Sequence, residues 1–548
     1  MPKKRVLFVT ECHNLASGFG TYARQVLPRL SATGKYELAE FASYGDTSKL
    51  GKEYDWLYFS NSPANDEEKQ QFDQQHANHF GFWRFDKVAL TFKPDIVLTY
   101  RDPWMDEWIA QSPLRPYFHW LWMPTVDSAP QRRKWLETFA ECDSLLAYSE
   151  FGEQTLREES NNTLNVLGCA SPAIDPQIYR PVPNKAEHKK SFGLPPDINI
   201  VGTVMRNQKR KLFFELMKAF KIFLENSPAE VAEKTFLYLH TSFPEQAGWN
   251  IAEGVLEHEL TSKVLTTYLC RHCNKFFVSI FQDAITVCKH CKNRSATMPN
   301  VGNGLSIPDL IKIYNLFDLY VQYAICEGFG MPQVEAAGCG VPIAAVNYSA
   351  MADVLKFTKG YPINVKCFYR ELETGAERAH PDNSHLADIL KKHFSLPMQE
   401  RNRKCFESRK GAMKRYSWDK TAQVWEKYLD SYAPVTLQGK WDSPPLSLTF
   451  PPSRPNFDSH EDLVRWSYAN VLQEPERAHS YEANEFIQSL NLGAHIEGGG
   501  PFSLDTFWEI ITNKFNNKAT AEAIRSGQQQ MAPDQFIEDA YRRFKQCV

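Results

Sequence analysis

The chain has 548 residues, with 62 basic and 65 acidic side chains and a formal charge of −3 at pH 7. Hydrophobic residues make up 43% and charged residues 23% of the sequence, which excludes a largely disordered chain and a generally basic, nucleic-acid-coating protein. At roughly 150 residues per domain, this length predicts three or four domains.

The start of the chain bears on where the protein resides. The first basic residues are followed by only a short apolar run, Val6–Val9, whereas a secretory signal needs about 7–15 apolar residues. No run approaches the ~18 apolar residues of a transmembrane helix. The sequence therefore predicts a cytoplasmic protein whose first element is a buried strand.

Short β-rich runs alternate with amphipathic helical stretches through roughly the first 430 residues. The first series predicts strands at Val6–Thr10, Asp95–Thr99, Tyr117–Trp122 and Ser144–Tyr148, with helices at Tyr22–Ala32 and Gln131–Ala140. A Pro-rich segment, 171–183, then predicts a linker. The second series predicts strands at Asn199–Val204, Thr235–His240, Asp318–Gln322 and Val341–Val346, with helices at Lys211–Glu225, Ser306–Asn315 and Pro332–Gly338. This alternation predicts an α/β protein with two Rossmann-like domains.

The expected domain boundaries follow from this pattern. One Rossmann-like domain is expected over 1–175, a second over 190–413, a crossover helix over 414–432, and a connector with a helical appendage over 433–548. Ligands of such sheets bind at the carboxyl ends of the strands. Functional side chains are therefore expected directly after the predicted strands.

Four cysteines interrupt the second domain in the pattern C-x2-C-x14-C-x2-C: Cys270, Cys273, Cys288 and Cys291. Two such pairs at this separation predict a tetrahedral four-thiolate zinc site, here a structural zinc ribbon over 266–298. His272 and His290 are further potential ligands, although the matching pairs make them unnecessary.

Glycines and cations follow the first strands of the two domains. Ser17-Gly18-Phe19-Gly20 opens the first helix, and glycines there let the backbone approach a phosphate. Arg206 begins a basic run that ends at Lys211. Arg and Lys side chains at the carboxyl edge of a sheet suit the oxygens of a phosphate, whereas the ordinary explanation of such a run is a solvated helix cap.

The most informative segment is Cys326–Pro342, which contains Glu327, Glu335 and the glycine-rich stretch Gly328-Phe329-Gly330-Met331. Glu327 is expected on a loop and Glu335 on the following helix, so that both carboxylates face one cleft. Carboxylate oxygens in such a cleft suit the hydroxyl groups of a ribose or a hexose. The glycines expose backbone N–H groups to the same ligand.

The Glu327–Pro342 segment resembles the signature of the retaining nucleotide-sugar glycosyltransferases of family 4, which have the GT-B fold. The resemblance extends to Gly18–Gly20, Arg206–Lys211, Ile307–Asp318 and Trp418, and it covers about 430 residues. It implies a GT-B protein with an N-terminal acceptor domain and a C-terminal nucleotide-sugar domain. The zinc ribbon is an addition to the ordinary family pattern.

The resemblance also implies roles for individual residues. Arg206 and Lys211 are expected to hold the donor diphosphate, Glu327 the donor sugar and Glu335 the ribose. The backbone of Phe329, Gly330 and Met331 is expected to lie against the sugar and the phosphates, with Gly18, Phe19 and Gly20 nearby. Family members often place a functional His or Asp after the strand that here begins near His119, and Asp127 is the first candidate for that role, with His119 the second.

The implied reaction keeps the configuration at the anomeric carbon, with cations and backbone dipoles stabilising the departing diphosphate. No Asp-x-Asp metal motif is evident, so no catalytic divalent metal is expected. The acceptor stays open between a glycan and a modified base in DNA. An inactive, zinc-dependent scaffold on a transferase fold is the non-enzyme alternative.

The nucleic-acid alternative rests on a basic and aromatic set in the zinc ribbon. Its members are Arg271, Lys275, Lys289, Lys292, Arg294, Phe276, Phe277 and Phe281. Aromatic side chains between cations are typical of surfaces that bind single strands. The same residues also fit a simpler function, because the cations offset thiolate charge and the aromatics supply a small core.

Overall fold

The computed structural model describes residues 3–432 apart from 16, 45–53, 113 and 301, together with a few isolated residues between 459 and 487. The predicted connector and helical appendage over 433–548 therefore lie outside the described residues, except at those few positions. No helix within the described ranges is long and apolar enough to cross a membrane.

The N-terminal domain is built around a parallel sheet, which has seven strands within the described residues, in the order β3-β2-β1-β4-β5-β6-β7. The strands are β1 (Lys4–Glu11), β2 (Tyr36–Ser43), β3 (Leu57–Ser60), β4 (Ile96–Thr99), β5 (His119–Trp122), β6 (Ser144–Ala147) and β7 (Val166–Cys169). The helices are α1 (Gly18–Ala32), α2 (Asp66–Phe72), α3 (Phe82–Phe92), α4 (Pro103–Asp106), α5 (Arg133–Phe139) and α6 (Glu150–Glu159). The central run Val6–Val9 is fully buried, as expected for a strand covered by helices on both faces.

The C-terminal domain has a second parallel sheet in the order β10-β9-β8-β14-β15-β16. Its strands, with those of the ribbon and a hairpin, are β8 (Asn199–Val204), β9 (Thr235–His240), β10 (Val264–Cys270), β11 (Phe276–Ile280), β12 (Ile285–Thr286), β13 (Ala296–Thr297), β14 (Leu319–Gln322), β15 (Ile343–Val346), β16 (Tyr361–Ile363), β17 (Val365–Arg370) and β18 (Glu377–Pro381). The helices are α7 (Lys185–Ser191), α8 (Phe213–Asn226), α9 (Ala229–Lys234), α10 (Ile251–Glu257), α11 (Ile307–Tyr314), α12 (Met331–Gly338), α13 (Ser349–Thr358), α14 (Asn383–Phe394), α15 (Met398–Arg415) and α16 (Trp418–Ser431).

The cysteine-containing segment continues the sheet of the C-terminal domain. Strand β10 pairs with β9 in parallel through Val264–Thr266 and with β11 in antiparallel through Leu265–Leu269. The short strands β12 and β13 extend this edge. Because one strand belongs to both units, the ribbon is part of the main sheet rather than a separate insertion beside it.

The last helix returns the chain to the N-terminal domain. In α16 the indole of Trp425 donates a hydrogen bond to the Tyr22 hydroxyl of α1 at 2.6 Å, and the Lys4 ammonium donates to the Leu429 carbonyl at 2.7 Å. The Thr421 hydroxyl donates to the Ser171 carbonyl at 2.6 Å. The two domains are thus joined at both the linker and the C-terminal crossover.

Candidate functional site

The carboxyl edges of the two sheets face each other. Asp127 follows β5 in the N-terminal domain, and Cys326 follows β14 in the C-terminal domain. The Cys326 thiol donates a hydrogen bond to the Asp127 carboxylate at 3.2 Å. The edges at which α/β sheets bind ligands therefore line one interdomain cleft.

Glu327 is the centre of a cationic cluster in this cleft. Its carboxylate is buried and accepts hydrogen bonds from Arg210 Nη1 at 3.0 Å, from Lys211 Nζ and from the amide of Gln322. The backbone brings these groups together, because the Leu212 amide donates to the Tyr323 carbonyl at 3.0 Å. Two cations against one carboxylate leave an excess positive charge that an anionic ligand can neutralise.

The two cations of this cluster differ in exposure. Lys211 is buried, whereas the Arg210 side chain is 40% exposed at the mouth of the cleft. Burial lowers the pKa of the Lys211 ammonium and the charge of Arg210 acts in the same direction, while contact with the Glu327 carboxylate favours the charged form. Arg210 therefore presents part of its side chain to the solvent, whereas the ammonium of Lys211 is buried.

Arg206 lies apart from this cluster. Its side chain is 53% exposed, and its nearest charged partner is Glu245 at 3.8 Å. The loop after β8 takes this course because the buried Asn207 side chain donates to the carbonyls of Ser242 at 3.1 Å and Trp249 at 2.8 Å. Of the two predicted cations, the structure brings Lys211 to Glu327 and leaves Arg206 apart from it. Arg210 contacts Glu327 in place of Arg206.

Glu335 has a separate set of partners. It is buried in α12 and accepts hydrogen bonds from the hydroxyls of Tyr314 at 2.6 Å and Tyr179 at 2.8 Å. Burial raises the pKa of Glu335, and the two tyrosine hydroxyls act against that rise. Tyr179 lies in the segment that links the two domains, so this carboxylate also joins the linker to α12.

The glycine-rich loop before α12 runs close to the N-terminal domain. A Cβ at Gly328 would lie 2.4 Å from Cγ2 of Thr125, a residue of the loop that follows β5. Gly330 has φ +83° and occupies the N-cap position of α12, a conformation that favours glycine. The Phe329 ring packs edge-on against Tyr416 at 5.3 Å, so only the backbone of Phe329 is available to a ligand.

The contact between Gly328 and Thr125 is directly testable. We expect Gly328→Ala to lower the free energy of unfolding by about 1–3 kcal/mol, as overpacking typically does. The double variant Gly328→Ala, Thr125→Ser removes the methyl group in contact and is expected to recover most of that loss. Chemical denaturation of both variants checks this, and equal loss in both would show that the two loops are not in contact.

The glycines at the start of α1 serve two different purposes. The helix begins at Gly18, and the Ser17 hydroxyl caps it by accepting from the Gly20 amide at 3.0 Å. A Cβ at Gly20 would lie 2.6 Å from the Leu15 carbonyl oxygen, whereas a Cβ at Gly18 would meet no atom within 4 Å. Gly20 is thus required by packing, while Gly18 leaves the helix N-terminus open. Phe19 is partly buried between them and packs against the core.

Asp127 is held by residues of both domains. It accepts hydrogen bonds from Arg378 at 3.0 Å and from Ser128 at 2.8 Å. Burial would raise the pKa of the Asp127 carboxyl, but the Arg378 guanidinium beside it holds that pKa below its usual range. Sequence analysis missed Arg378, because it lies in a stretch without a motif and 251 residues from its partner.

A second carboxyl group near this point was also missed. Asp102 follows β4 and occupies the N-cap position of α4. Burial raises the pKa of Asp102 to about 6, and the charges of Asp127 and Arg210 act on it in opposite directions. Its position after a strand is the only signal in the sequence that points to it.

The structure does not bring His119 to this site. His119 begins β5, so it lies at the amino edge of the sheet, opposite the cleft. Its ring lies 4.7 Å from that of Tyr432, and its Nδ1 atom is 3.9 Å from Asp143. The prediction that His119 lies with Asp127 is therefore wrong, because the first residue of a parallel strand lies at the edge opposite to its carboxyl end.

The four ribbon cysteines converge as predicted. Their sulfur atoms all lie within 4.8 Å of one another, with Cys270 to Cys291 at 3.6 Å and Cys273 to Cys288 at 3.7 Å. A tetrahedral zinc ion with Zn–S bonds of about 2.3 Å separates its thiolates by about 3.8 Å. The residues present therefore fit a four-thiolate metal site. His290 is turned away, with Nε2 at 3.3 Å from the Phe276 carbonyl oxygen.

The aromatic side chains of the ribbon pack inward, whereas its basic side chains are exposed. Phe277 and Phe281 are buried. The Lys289 ammonium donates to the Val278 carbonyl at 2.7 Å and lies 5.5 Å from the centre of the Phe277 ring. These contacts agree with the simpler expectation of a small core rather than with a stacking surface.

A second buried group of potential ligands lies after β1. The side-chain donor atoms of Cys12, His13 and Glu40 lie within 4.8 Å of one another. Glu40 is already engaged, because it accepts from His13 Nδ1 at 2.7 Å, from the His13 amide at 2.9 Å and from the Trp56 indole at 3.2 Å. This group therefore has the contacts of an internal ion pair.

Comparison with known proteins agrees with this architecture. The sequence profile of the family "Glycosyl transferases group 1" matches residues 299–379, a range that contains Glu327, Glu335 and Arg378. No curated protein sequence matches the chain.

The structure is similar to several solved glycosyltransferase structures. Sucrose-phosphate synthase from Thermosynechococcus elongatus has a TM-score of 0.56 and 15% identity, covering 78% of this chain and 100% of its own. HepE of Anabaena in complex with UDP-glucose has a TM-score of 0.55 and 12% identity, with the same coverage of 78% and 100%. WaaG, described as a glycosyltransferase involved in lipopolysaccharide biosynthesis, has a TM-score of 0.51 and 11% identity, again covering 78% and 100%. The chain therefore has the GT-B fold, and within that fold it carries a segment that matches the glycosyl transferases group 1 family.

Proposed function

We propose that the protein is a retaining glycosyltransferase that moves a sugar from a nucleoside-diphosphate sugar to an acceptor hydroxyl. The observation that carries this proposal is the buried Glu327 carboxylate with Lys211 and Arg210 around it. This cluster lies at the carboxyl edge of β14, where a GT-B protein has its cleft, and within the range that the family profile matches. Because HepE was solved with UDP-glucose, we propose a UDP-sugar as the donor.

The charges of the cluster suggest how the donor is held. Lys211 and Arg210 are the cations proposed to hold the diphosphate, so that Arg210 takes the role expected of Arg206. Glu327 is proposed to accept hydrogen bonds from the hydroxyls of the donor sugar, and Glu335 from those of the ribose. The open N-termini of α1 and α12 add backbone N–H groups that favour a negative charge.

The proposed reaction proceeds on one face of the sugar. The bond between the anomeric carbon and the diphosphate oxygen breaks, and the acceptor oxygen bonds to the same face. The departing phosphate oxygen takes the acceptor's proton, so no protein carboxylate needs to change its protonation. The fixed charges of Lys211 and Arg210 stabilise the leaving diphosphate.

This mechanism predicts that activity survives the removal of divalent cations. Turnover of the preferred donor, measured as release of the nucleoside diphosphate, is expected to fall less than about 2-fold in excess EDTA, because two protein cations take the place of a metal at the diphosphate. Zinc content is measured in the same samples, since loss of the ribbon metal would confound the result. A loss of activity that added Mg²⁺ or Mn²⁺ restores would contradict the prediction.

The function itself is tested with a panel of UDP-, GDP- and ADP-sugars. Donor binding is measured by calorimetry and turnover by release of the nucleotide. Binding and slow hydrolysis of one nucleotide class are expected even without the acceptor. If the chain neither binds nor turns over any donor, the inactive scaffold becomes the better explanation.

The same panel is run with glycan acceptors, which we propose as the acceptor class. We do not propose DNA, since two of the three ribbon aromatics that would stack on bases, Phe277 and Phe281, are buried and Phe276 is partly buried. A gel-shift experiment at low salt with plain and hydroxymethylated duplexes is therefore expected to show no complex. A shift that is lost in Cys288→Ser would restore the DNA alternative.

A further inference from the structure

A hairpin of the C-terminal domain reaches the loop that carries Asp127. Strands β17 and β18 pair in antiparallel as a separate two-stranded sheet between β16 and α14. The outer strand β17 is largely exposed, whereas β18 is mostly buried. Sequence analysis predicted no element here, and none of the roles proposed above uses this hairpin.

Arg378 on β18 joins the two domains through its side chain. The guanidinium is buried, with 8% of the side chain exposed. It donates to the Asp127 carboxylate at 3.0 Å, to the Ser128 hydroxyl at 2.8 Å and to the Cys326 sulfur at 2.9 Å. Its other nitrogens bond to Glu371 of the same hairpin, at 2.6 Å for the closer contact. One side chain thus connects the loop after β5 to the residue that precedes Glu327.

Backbone contacts reinforce this connection on both sides. The Glu377 amide donates to the Ala129 carbonyl in the N-terminal domain at 2.8 Å, and the Ala379 amide donates to the Ile325 carbonyl at 3.1 Å. The Tyr348 hydroxyl donates to the Glu377 carbonyl at 2.8 Å and accepts from the Ala129 amide at 3.3 Å. The hairpin therefore contacts the loop before Glu327 in its own domain and the loop after β5 in the N-terminal domain.

We propose that Arg378 is a positioning residue, which holds the Asp127 carboxylate against the loop that contains Glu327. In this proposal the β17–β18 hairpin joins the two domains beside the reacting groups, and we call this connection the clasp. This inference rests on the proposed function, because it gives Asp127 a place beside the transferred sugar. Asp127 then touches the substrate, while Arg378 acts through Asp127. A single guanidinium contacts both Asp127 and Cys326. Contact between the two domains and alignment of Asp127 therefore occur together.

The charge of Arg378 favours the ionised form of Asp127, because it lowers the pKa of that carboxyl. The groups that face Asp127 from the surrounding elements are Arg378, Lys211, Asp102, Glu371, Cys326 and Tyr348. Without Arg378, the nearby carboxylates Asp102 and Glu371 would oppose a negative charge on Asp127. A lysine cannot contact Asp127 and Glu371 with the same planar fork, so Arg378→Lys should restore only part of the function.

The experiment compares Arg378→Ala and Arg378→Lys with Arg370→Ala, a matched control on the exposed strand of the same hairpin. Arg378→Ala is expected to lower kcat about 100-fold, as a small misplacement within an active site can, while KM for the donor changes less than about 3-fold. The acidic limb of its pH–activity profile should move to higher pH, because Arg378 lowers the pKa of Asp127 in the wild type. Arg378→Lys should lie between the two, and Arg370→Ala should match the wild type.

Hydrogen exchange gives a readout that does not depend on activity. The Ala129 and Glu377 amides should exchange faster in Arg378→Ala, while amides of β1 and β8 should not change. An unchanged kcat and pH profile, or unchanged exchange at these two amides, would overturn the inference. If the wild type turns over no donor, the proposed function fails, whereas the exchange experiment still decides whether the clasp exists.

Discussion

Glu327→Gln is expected to lower turnover of the donor by about 100- to 1,000-fold, the usual cost of losing one preorganised electrostatic contact in an active site. Glutamine keeps the size of the side chain and can still accept from Arg210. It removes the negative charge that holds Lys211, so both the sugar contact and the position of the diphosphate cations are lost. The matched control is Glu257→Gln, an exposed glutamate on α10 of the same domain.

The stability of Glu327→Gln must be measured beside its activity. Removing one partner of a buried ion pair typically costs about 3–5 kcal/mol, because the other charge stays buried. Arg210→Ala avoids this difficulty, since Arg210 is 40% exposed, and it should weaken donor binding with little loss of stability. Full activity in a folded Glu327→Gln variant, together with unchanged donor binding in Arg210→Ala, would contradict the proposed donor site.

Cys288→Ser is expected to remove one zinc ion per chain and to destabilise the C-terminal domain. Binding of structural zinc contributes about 10–16 kcal/mol in isolated zinc fingers. We expect a loss of a fraction of this amount, because strand β10 is also held by β9 in the main sheet. Metal analysis and thermal unfolding check the two effects together.

The control for this prediction is Cys367→Ser, which replaces an exposed cysteine on β17. It should keep its zinc and the wild-type melting temperature. A wild-type chain purified without zinc, which then shows no change in melting temperature when zinc is added, would contradict the metal site. Both variants replace one cysteine by serine. A difference in zinc content or melting temperature between them therefore depends on which cysteine is replaced.

Some elements of the fold could be predicted from the sequence and others could not. The apolar run Val6–Val9 predicted a buried strand, and β1 is fully buried there. The first helix was predicted over Tyr22–Ala32 after the Ser17–Gly20 loop, and it begins earlier, at Gly18. The existence of both elements was predictable because an apolar run and a helical period involve residues that are neighbours in the chain. The hairpin β17–β18 was missed, since the outer strand has neither an apolar run nor an alternating pattern.

In the candidate site, too, some residues were predictable from local sequence and others were not. Glu327, Lys211 and Asp127 were identified from motifs and strand ends, and the structure brings all three to the cleft. The choice between Arg206 and Arg210 depended on how Asn207 bonds to residues 35 and 42 positions later. No local pattern contains that information, because the loop's course is decided by contacts with another part of the chain.

The amino-acid sequence by itself determined the α/β class, the cluster of four cysteines and which strand ends carry charged side chains, because each of these depends on residue type and short-range spacing. Only the tertiary structure decided which cation meets Glu327, that His119 lies at the opposite edge, and that Arg378 holds Asp127 from 251 positions away. The contact of Arg378 arises from the docking of the two domains, and that of Arg210 from the course of one loop within its domain. Both are governed by the packing of many distant side chains at once.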